Sequence, residues 1–181
     1  MPTPDVRNRA VLLLRAALLV YLAYSGARAL ADSETWHVFG GLTLGVHELG
    51  HVLFSPFGEW LEVAGGSITQ LAAPLAAAVV LARQADWFGV GVVGTWEAYS
   101  LTNLATYVGD ASAQELPLVG LSDDPMHDWN YLLGRADLLS HDVMFARLLR
   151  VAAALTLFLS LALSAWAGVL RTPPIPRHER A

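Results

Sequence analysis

Five consecutive residues, His47-Glu48-Leu49-Gly50-His51, bring two imidazoles and a carboxylate together at a spacing suited to metal-assisted hydrolysis. On a helix, side chains four apart share one face, about 6 Å apart along the axis, so both imidazoles can ligate one ion. Cysteine is absent, so a metal here must be held by imidazoles and carboxylates. Zinc is the expected ion; it lowers the pKa of a bound water to about 7 and polarises the carbonyl under attack. Glu48, beside the first imidazole, is placed to take the proton of that water. Two imidazoles make an incomplete site, and a third protein ligand is required. The bland alternative, a pair of histidines satisfied by neighbouring hydrogen bonds, is weakened by the apolar setting, because ionisable residues within a membrane helix are costly unless they serve a function.

The elements that must position these groups are apolar helices. The 181-residue chain is 55% hydrophobic and 15% charged, whereas a soluble domain carries about a quarter charged residues. Its net charge is −5, with no basic stripe, which excludes nucleic acid as a partner. A first apolar block runs from about residue 10 to 30. Arg15 within it, and the spans that follow, favour a retained helix over a signal peptide cleaved near Ala27-Arg28-Ala29. A glycine-rich second block, about 34 to 54, carries the motif, with Ser33 as its expected N-cap and Ser55-Pro56-Phe57-Gly58 as its stop. It is read as crossing the bilayer or as re-entrant. The stretch 59 to 66, with its acids and Gly65-Gly66, reads as a loop or small hairpin. A third block, about 68 to 81, contains Pro74, and a fourth helix runs from about 87 to 108. The polar stretch 110 to 145 holds a short helix beginning near His127. Residues 151 to 170 form the cleanest span, of the length a bilayer core requires. A proline- and arginine-rich tail, about 172 to 181, reads as disordered. The arginines divide almost evenly between the two sides if all five helices cross, so charge bias assigns no orientation.

Chain parity narrows the search for the third ligand. The motif ends near Ser55, and two further crossings return the chain to the same side after residue 108. Two ligands are open there. Asp110 follows Asn103 and Tyr107 at i, i+4 and i+7 along one helix face, with Asn103 and Tyr107 as hydrogen-bonding or transition-state groups. Its bland role is to cap a loop. The alternative is His127, with Asp128 beside it as an outer-shell carboxylate that orients an imidazole. Its bland role is to start an interfacial helix with Trp129 and Tyr131. Gln70 is expected to line the cavity. His37 lies roughly 15 Å from His47 along the helix, too far to share the ion. His141 and His178 sit in charged surroundings, and Glu97 projects from the face opposite Asp110 and stays outside the site.

His47-Glu48-Leu49-Gly50-His51 on a membrane helix, followed by Gly65-Gly66, Gln70 and Pro74-Leu75-Ala76, resembles the site-2 protease class of intramembrane zinc metallopeptidases. The likeness covers about residues 40 to 111. In that class a later helix supplies an asparagine and then an aspartate that completes the zinc site. Asn103 and Asp110 are the matching positions here, so the resemblance favours Asp110 as third ligand. Asp110 is followed by Ala111 where that class has glycine, and no proline lies between Asn103 and Asp110. The stretches 110 to 118 and 127 to 133 look like a compact bacterial branch, which implies a bacterial cytoplasmic membrane and leaves the substrate open.

The expected protein is therefore all-α, a single multi-pass membrane domain over 1–181. It has four to five membrane helices, the motif on the second and a core at about 33–145. Its expected activity is zinc-dependent hydrolysis of a peptide bond in or near the bilayer. Glu48 acts as base, Asn103 positions substrate, and the partners are lipid and a membrane-protein or peptide substrate. Two alternatives stand beside it: a non-enzymatic protein whose zinc holds helices together, and an iron enzyme with a two-His-one-carboxylate site.

Overall fold

The computed structural model describes residues 4–32, 35, 37–117 and 126–170, with side chains described from residue 8. The expected N-cap Ser33 and the tail from 171 onward lie outside the described residues. Among the described residues all regular structure is helical. Six α-helices follow in chain order: α1 Pro4–Ala31, α2 Gly40–Phe54, α3 Glu59–Arg83, α4 Trp87–Gly109, α5 Asp128–Arg135 and α6 Asp142–Ala165. A π-helical turn, Trp166–Leu170, ends the last of them.

Three helical stretches are long and apolar enough to cross a membrane: Asn8–Ala31, Glu59–Arg83 and Leu139–Val169. Their outward faces carry bare hydrocarbon. Leu13, Leu14, Val20 and Phe158 are each about 70% exposed, an arrangement that lipid accommodates and water does not. α2 is different. Its 15 residues rise about 22 Å, short of the roughly 30 Å hydrocarbon core.

α4 is the inner helix, and small residues set its approach to α6. A methyl group on Gly91 or Gly94 would strike Ser164 or Ser160 of α6. The Ser164 hydroxyl donates to the Phe88 carbonyl at 3.0 Å. Without a hydrophobic force between helices in lipid, close backbone approach and such interhelical hydrogen bonds supply the adhesion. Arg15 of α1, the charge inside the first span, donates to the Gly168 carbonyl at 3.4 Å and lies over the Phe88 ring.

The stretch 59–66 is helix, not a loop or hairpin. Gly58, at φ 97°, makes the break after the 3₁₀ turn Ser55–Phe57. Glu59 and Glu62 then occupy the first turn of α3, where a helix N-terminus favours negative charge. The Gly65-Gly66 pair serves packing instead of turning. A Cβ on Gly65 would lie 2.6 Å from the Gly50 carbonyl oxygen and 2.7 Å from Phe54 Cβ. α2 and α3 therefore touch backbone to backbone at Gly50 and Gly65. α2 also begins later than the periodicity suggests, at Gly40 instead of about residue 34. Pro74 lies inside α3 without ending it.

A candidate metal centre

The close approach of α2 and α3 decides which atoms of the histidines face the site. His47 Nδ1 lies 2.9 Å from Gln70 Oε1, and His51 Nδ1 lies 2.9 Å from the Glu62 carbonyl oxygen. The Gln70 amide nitrogen donates to the Ser100 carbonyl at 2.9 Å and to Asn103 Oδ1 at 3.2 Å, which fixes its oxygen toward His47. Both partners of the imidazoles can only accept, so each Nδ1 carries the proton. Each Nε2 is left with its lone pair, and both point at one carboxylate oxygen. Asp128 Oδ2 is 3.1 Å from His47 Nε2 and 3.3 Å from His51 Nε2.

Three electron-rich atoms converge there, within 4.8 Å of one another. With both lone pairs inward, the rings and the carboxylate repel unless a positive charge sits among them, either a metal ion or a proton on an Nε2. Ligands on a tetrahedral zinc, bound at about 2.0–2.2 Å, stand roughly 3.3 Å apart, so the two imidazole–carboxylate spacings are compatible with a metal ion as well as with hydrogen bonds. His47-His51-Asp128 is thus a cluster able to hold one. The hydrogen bonds to each Nδ1 are the outer-shell contacts that fix tautomer and ring orientation in metal sites. When protons take the place of an ion on the two Nε2 atoms, burial works to raise the Asp128 carboxyl, but the hydrogen bonds those N–H groups donate outweigh it and hold it below the ordinary aspartate range. The same bond to Asp128 raises His51 to about 9.

Asp128 reaches this point because α5 is clamped at several places. Leu132 packs on Val63 and Ala64, and Leu133 on Leu104, Val108 and Ala111. Trp129 Nε1 donates to Ser67 Oγ at 3.1 Å, and the Asn130 amide donates to the Ala111 carbonyl at 2.8 Å. Tyr107 closes the corner. Its hydroxyl accepts the Asp128 backbone N–H at 2.9 Å, one of the otherwise unpaired donors of a helix N-terminus. Its ring lies between those of His47 and His127, with centroids 6.1 and 4.4 Å away.

The two residues favoured as third ligand are held elsewhere. Asp110 accepts the backbone N–H groups of Glu115 and Leu116 at 2.9 and 3.1 Å, capping the turn after α4. Its Oδ2 also faces His127 Nε2 at 3.3 Å. His127 is the N-cap of α5, where Nδ1 accepts the Asn130 N–H, so Nε2 carries the proton that points at Asp110. With both ring nitrogens engaged and 3% exposure, His127 has no lone pair to give the cluster. The carboxylate on the two imidazoles is that of Asp128, expected only as an outer-shell neighbour. Gln70 and Tyr107 do contact the cluster. Asn103 reaches it only through Gln70, and its own residue is exposed.

Gly66, expected only as part of a turn, packs against both imidazole ligands. A Cβ there would stand 2.6 Å from each Nε2. Its spacing of four before Gln70 puts the two on one helix face, a signal available in the sequence. Glu48 is half-buried, and its charge acts on both His51 and Tyr107.

Removal of the Asp128 carboxylate should therefore release the ion, whereas removal of Asp110 should not. We expect Asp128→Ala to lower metal affinity at least tenfold and Asp110→Ala to keep full stoichiometry, read by metal analysis of purified protein. The reverse pattern would make Asp110 the ligand. The site and fold define a helical chain with three stretches long and apolar enough to cross a membrane and a two-histidine-one-carboxylate cluster. Compared with family models, curated proteins and solved structures, the chain matches none of them.

Proposed function

We propose that this protein is an intramembrane zinc metallopeptidase of the site-2 protease kind. The observation that carries the reading is the convergence of His47 Nε2, His51 Nε2 and Asp128 Oδ2, with the Glu48 carboxylate near enough for its charge to act on His51. Zinc in such a site supplies Lewis acidity, activating a water at neutral pH and polarising the peptide carbonyl. Glu48 takes the proton of the attacking water on its carboxylate. It then passes a proton to the amine nitrogen as the carbon–nitrogen bond breaks, so the same side chain serves as base and acid. Asn103 is suited to hold the substrate backbone. Its Oδ1 already accepts from Gln70, which leaves the amide N–H donors free to reach a carbonyl oxygen from the exposed side. Tyr107 positions Asp128 through the backbone N–H.

In this reading α1, α3, α4 and α6 cross the bilayer, and the short α2 packs against α3 without crossing. The motif helix is then re-entrant, and the bond that is cut lies in or near the membrane. His₂-carboxylate sites also suit iron, so the metal is part of the test. Purified protein in micelles, mixed with a membrane-embedded peptide substrate, should cleave it, lose activity to a chelator and regain it with zinc. Restoration of cleavage by iron(II) but not zinc would make iron the working metal, and chelator-insensitive cleavage would remove the metal from the reaction.

A further inference from the structure

Glu97 has no place in the metal centre, yet it is a carboxyl in the middle of the inner helix. It is 9% exposed, and its Oε2 has no hydrogen-bond partner. An unsatisfied buried carboxyl is expensive, and within a membrane helix such a group marks a functional site by default. It lines a groove of about 190 Å³ between α3, α4 and α6, open on its outer side. The walls are otherwise hydrocarbon: Pro74 and Leu75 from α3, Leu159 and Leu163 from α6, with the hydroxyls of Thr156 and Ser160. None of the lining side chains carries a positive charge. The groove is distinct from the metal cluster, since Gln70, one turn before Pro74, turns to His47 and Ser100 instead.

We propose that this groove binds a small apolar amine, whose ammonium group pairs with Glu97 while its hydrocarbon body fills the space between the helices. The chemistry of the walls selects this class. An anion would meet an uncompensated carboxylate, and a neutral hydrocarbon would leave Oε2 unpaired. A cation with N–H donors answers both needs, and charge-assisted hydrogen bonds are strongest in a dry setting. Size narrows the choice further. A closed apolar cavity of about 150 Å³ takes benzene, so a groove of about 190 Å³ has room for an aromatic ring bearing an aminomethyl group. In the proposed topology, in which α4 crosses the bilayer, depth argues against a lipid headgroup as the source. Glu97 is ten residues from Trp87 at the start of α4, about 15 Å along the helix, near the middle of a bilayer core.

The test uses the full chain in detergent micelles with benzylamine, benzyl alcohol and toluene as matched probes, read by thermal melting. Benzylamine should bind about tenfold more tightly than benzyl alcohol, and Glu97→Gln should erase that preference. Ala78→Leu, which fills the groove while keeping the carboxyl, should abolish stabilisation by the amine. Because Glu97→Gln removes an unpartnered acid, its melting without ligand should match or exceed that of the natural chain, which separates loss of binding from loss of fold. An amine preference that survives Glu97→Gln, or equal binding of benzyl alcohol and benzylamine, would overturn the proposal.

Discussion

Glu48→Gln should reduce peptide hydrolysis by about 10²–10⁴-fold, the usual contribution of a positioned general base, while leaving metal content unchanged. The substitution is nearly isosteric and keeps the amide in the place of the carboxylate. What it removes is the ability to accept a proton from water. Glu48 makes no part of the His47-His51-Asp128 cluster, so affinity for the ion should shift only by the loss of a nearby negative charge. The two readouts divide the rival readings. In a protein where the metal merely holds helices together, Glu48→Gln would be silent in every assay, and removing His47 would instead lower the melting temperature. Full hydrolytic activity in Glu48→Gln would remove this residue from the mechanism.

The chemistry of the site was legible in the sequence because it is local. The i, i+4 histidines need only a helix to share a face, and the apolar setting made their cost visible. Gln70 and Tyr107 were also within reach, the first from its place on α3 and the second from its helical phase. Parity confined the third partner to the end of α4 or the stretch after it, and Asp128 lies in that stretch. The choice among Asp110, His127 and Asp128 was not legible, because it depends on how α5 docks. Packing of Leu132 and Leu133 and the Trp129–Ser67 hydrogen bond set the rotation of that helix. Rotation by one position would bring His127 to the place where Asp128 now stands. Asp110, meanwhile, is consumed by two backbone amides of a turn whose shape no periodicity reveals.

The fold shows the same division between local and tertiary causes. α4 was readable to within a residue at each end, as a largely apolar run with clear boundaries. Gly65-Gly66 misled because glycine pairs are common in turns, and its low helix propensity argues the same way. The competing demand is tertiary. α2 and α3 can meet at Gly50 and Gly65 only if neither bears a side chain, and in lipid such close contact outweighs a propensity cost of about 1 kcal/mol per glycine. Crossing number is another such case, since the length of α2 depends on where the chain first becomes helical.

Gly66→Ala should abolish high-affinity metal binding without unfolding the protein. The added methyl would stand 2.6 Å from both Nε2 atoms and 2.8 Å from His47 Cε1, well inside contact distance. Neither ring can withdraw cheaply, because Gln70 holds His47 and the Glu62 carbonyl holds His51 through their Nδ1 atoms. Moving either ring breaks that bond and turns the lone pair away from Asp128. Rearrangements of this kind cost about 10–100-fold in metal affinity, and direct displacement of the ligand atoms adds to that. The helix itself gains, since alanine favours α-helix over glycine by about 1 kcal/mol. Gly45→Ala on α2 is the matched control, since nothing lies within 4 Å of its added methyl. It should keep full metal content and melt no lower than the natural chain. Gly50→Ala forms the opposite control, because its methyl would meet the Gly65 backbone and force the two helices apart. It should therefore lose both metal and stability. Titration of the three variants with zinc, alongside their melting curves, separates a blocked site from a broken fold. Stoichiometric, unweakened zinc binding by Gly66→Ala would mean that the ion does not sit between these two imidazoles.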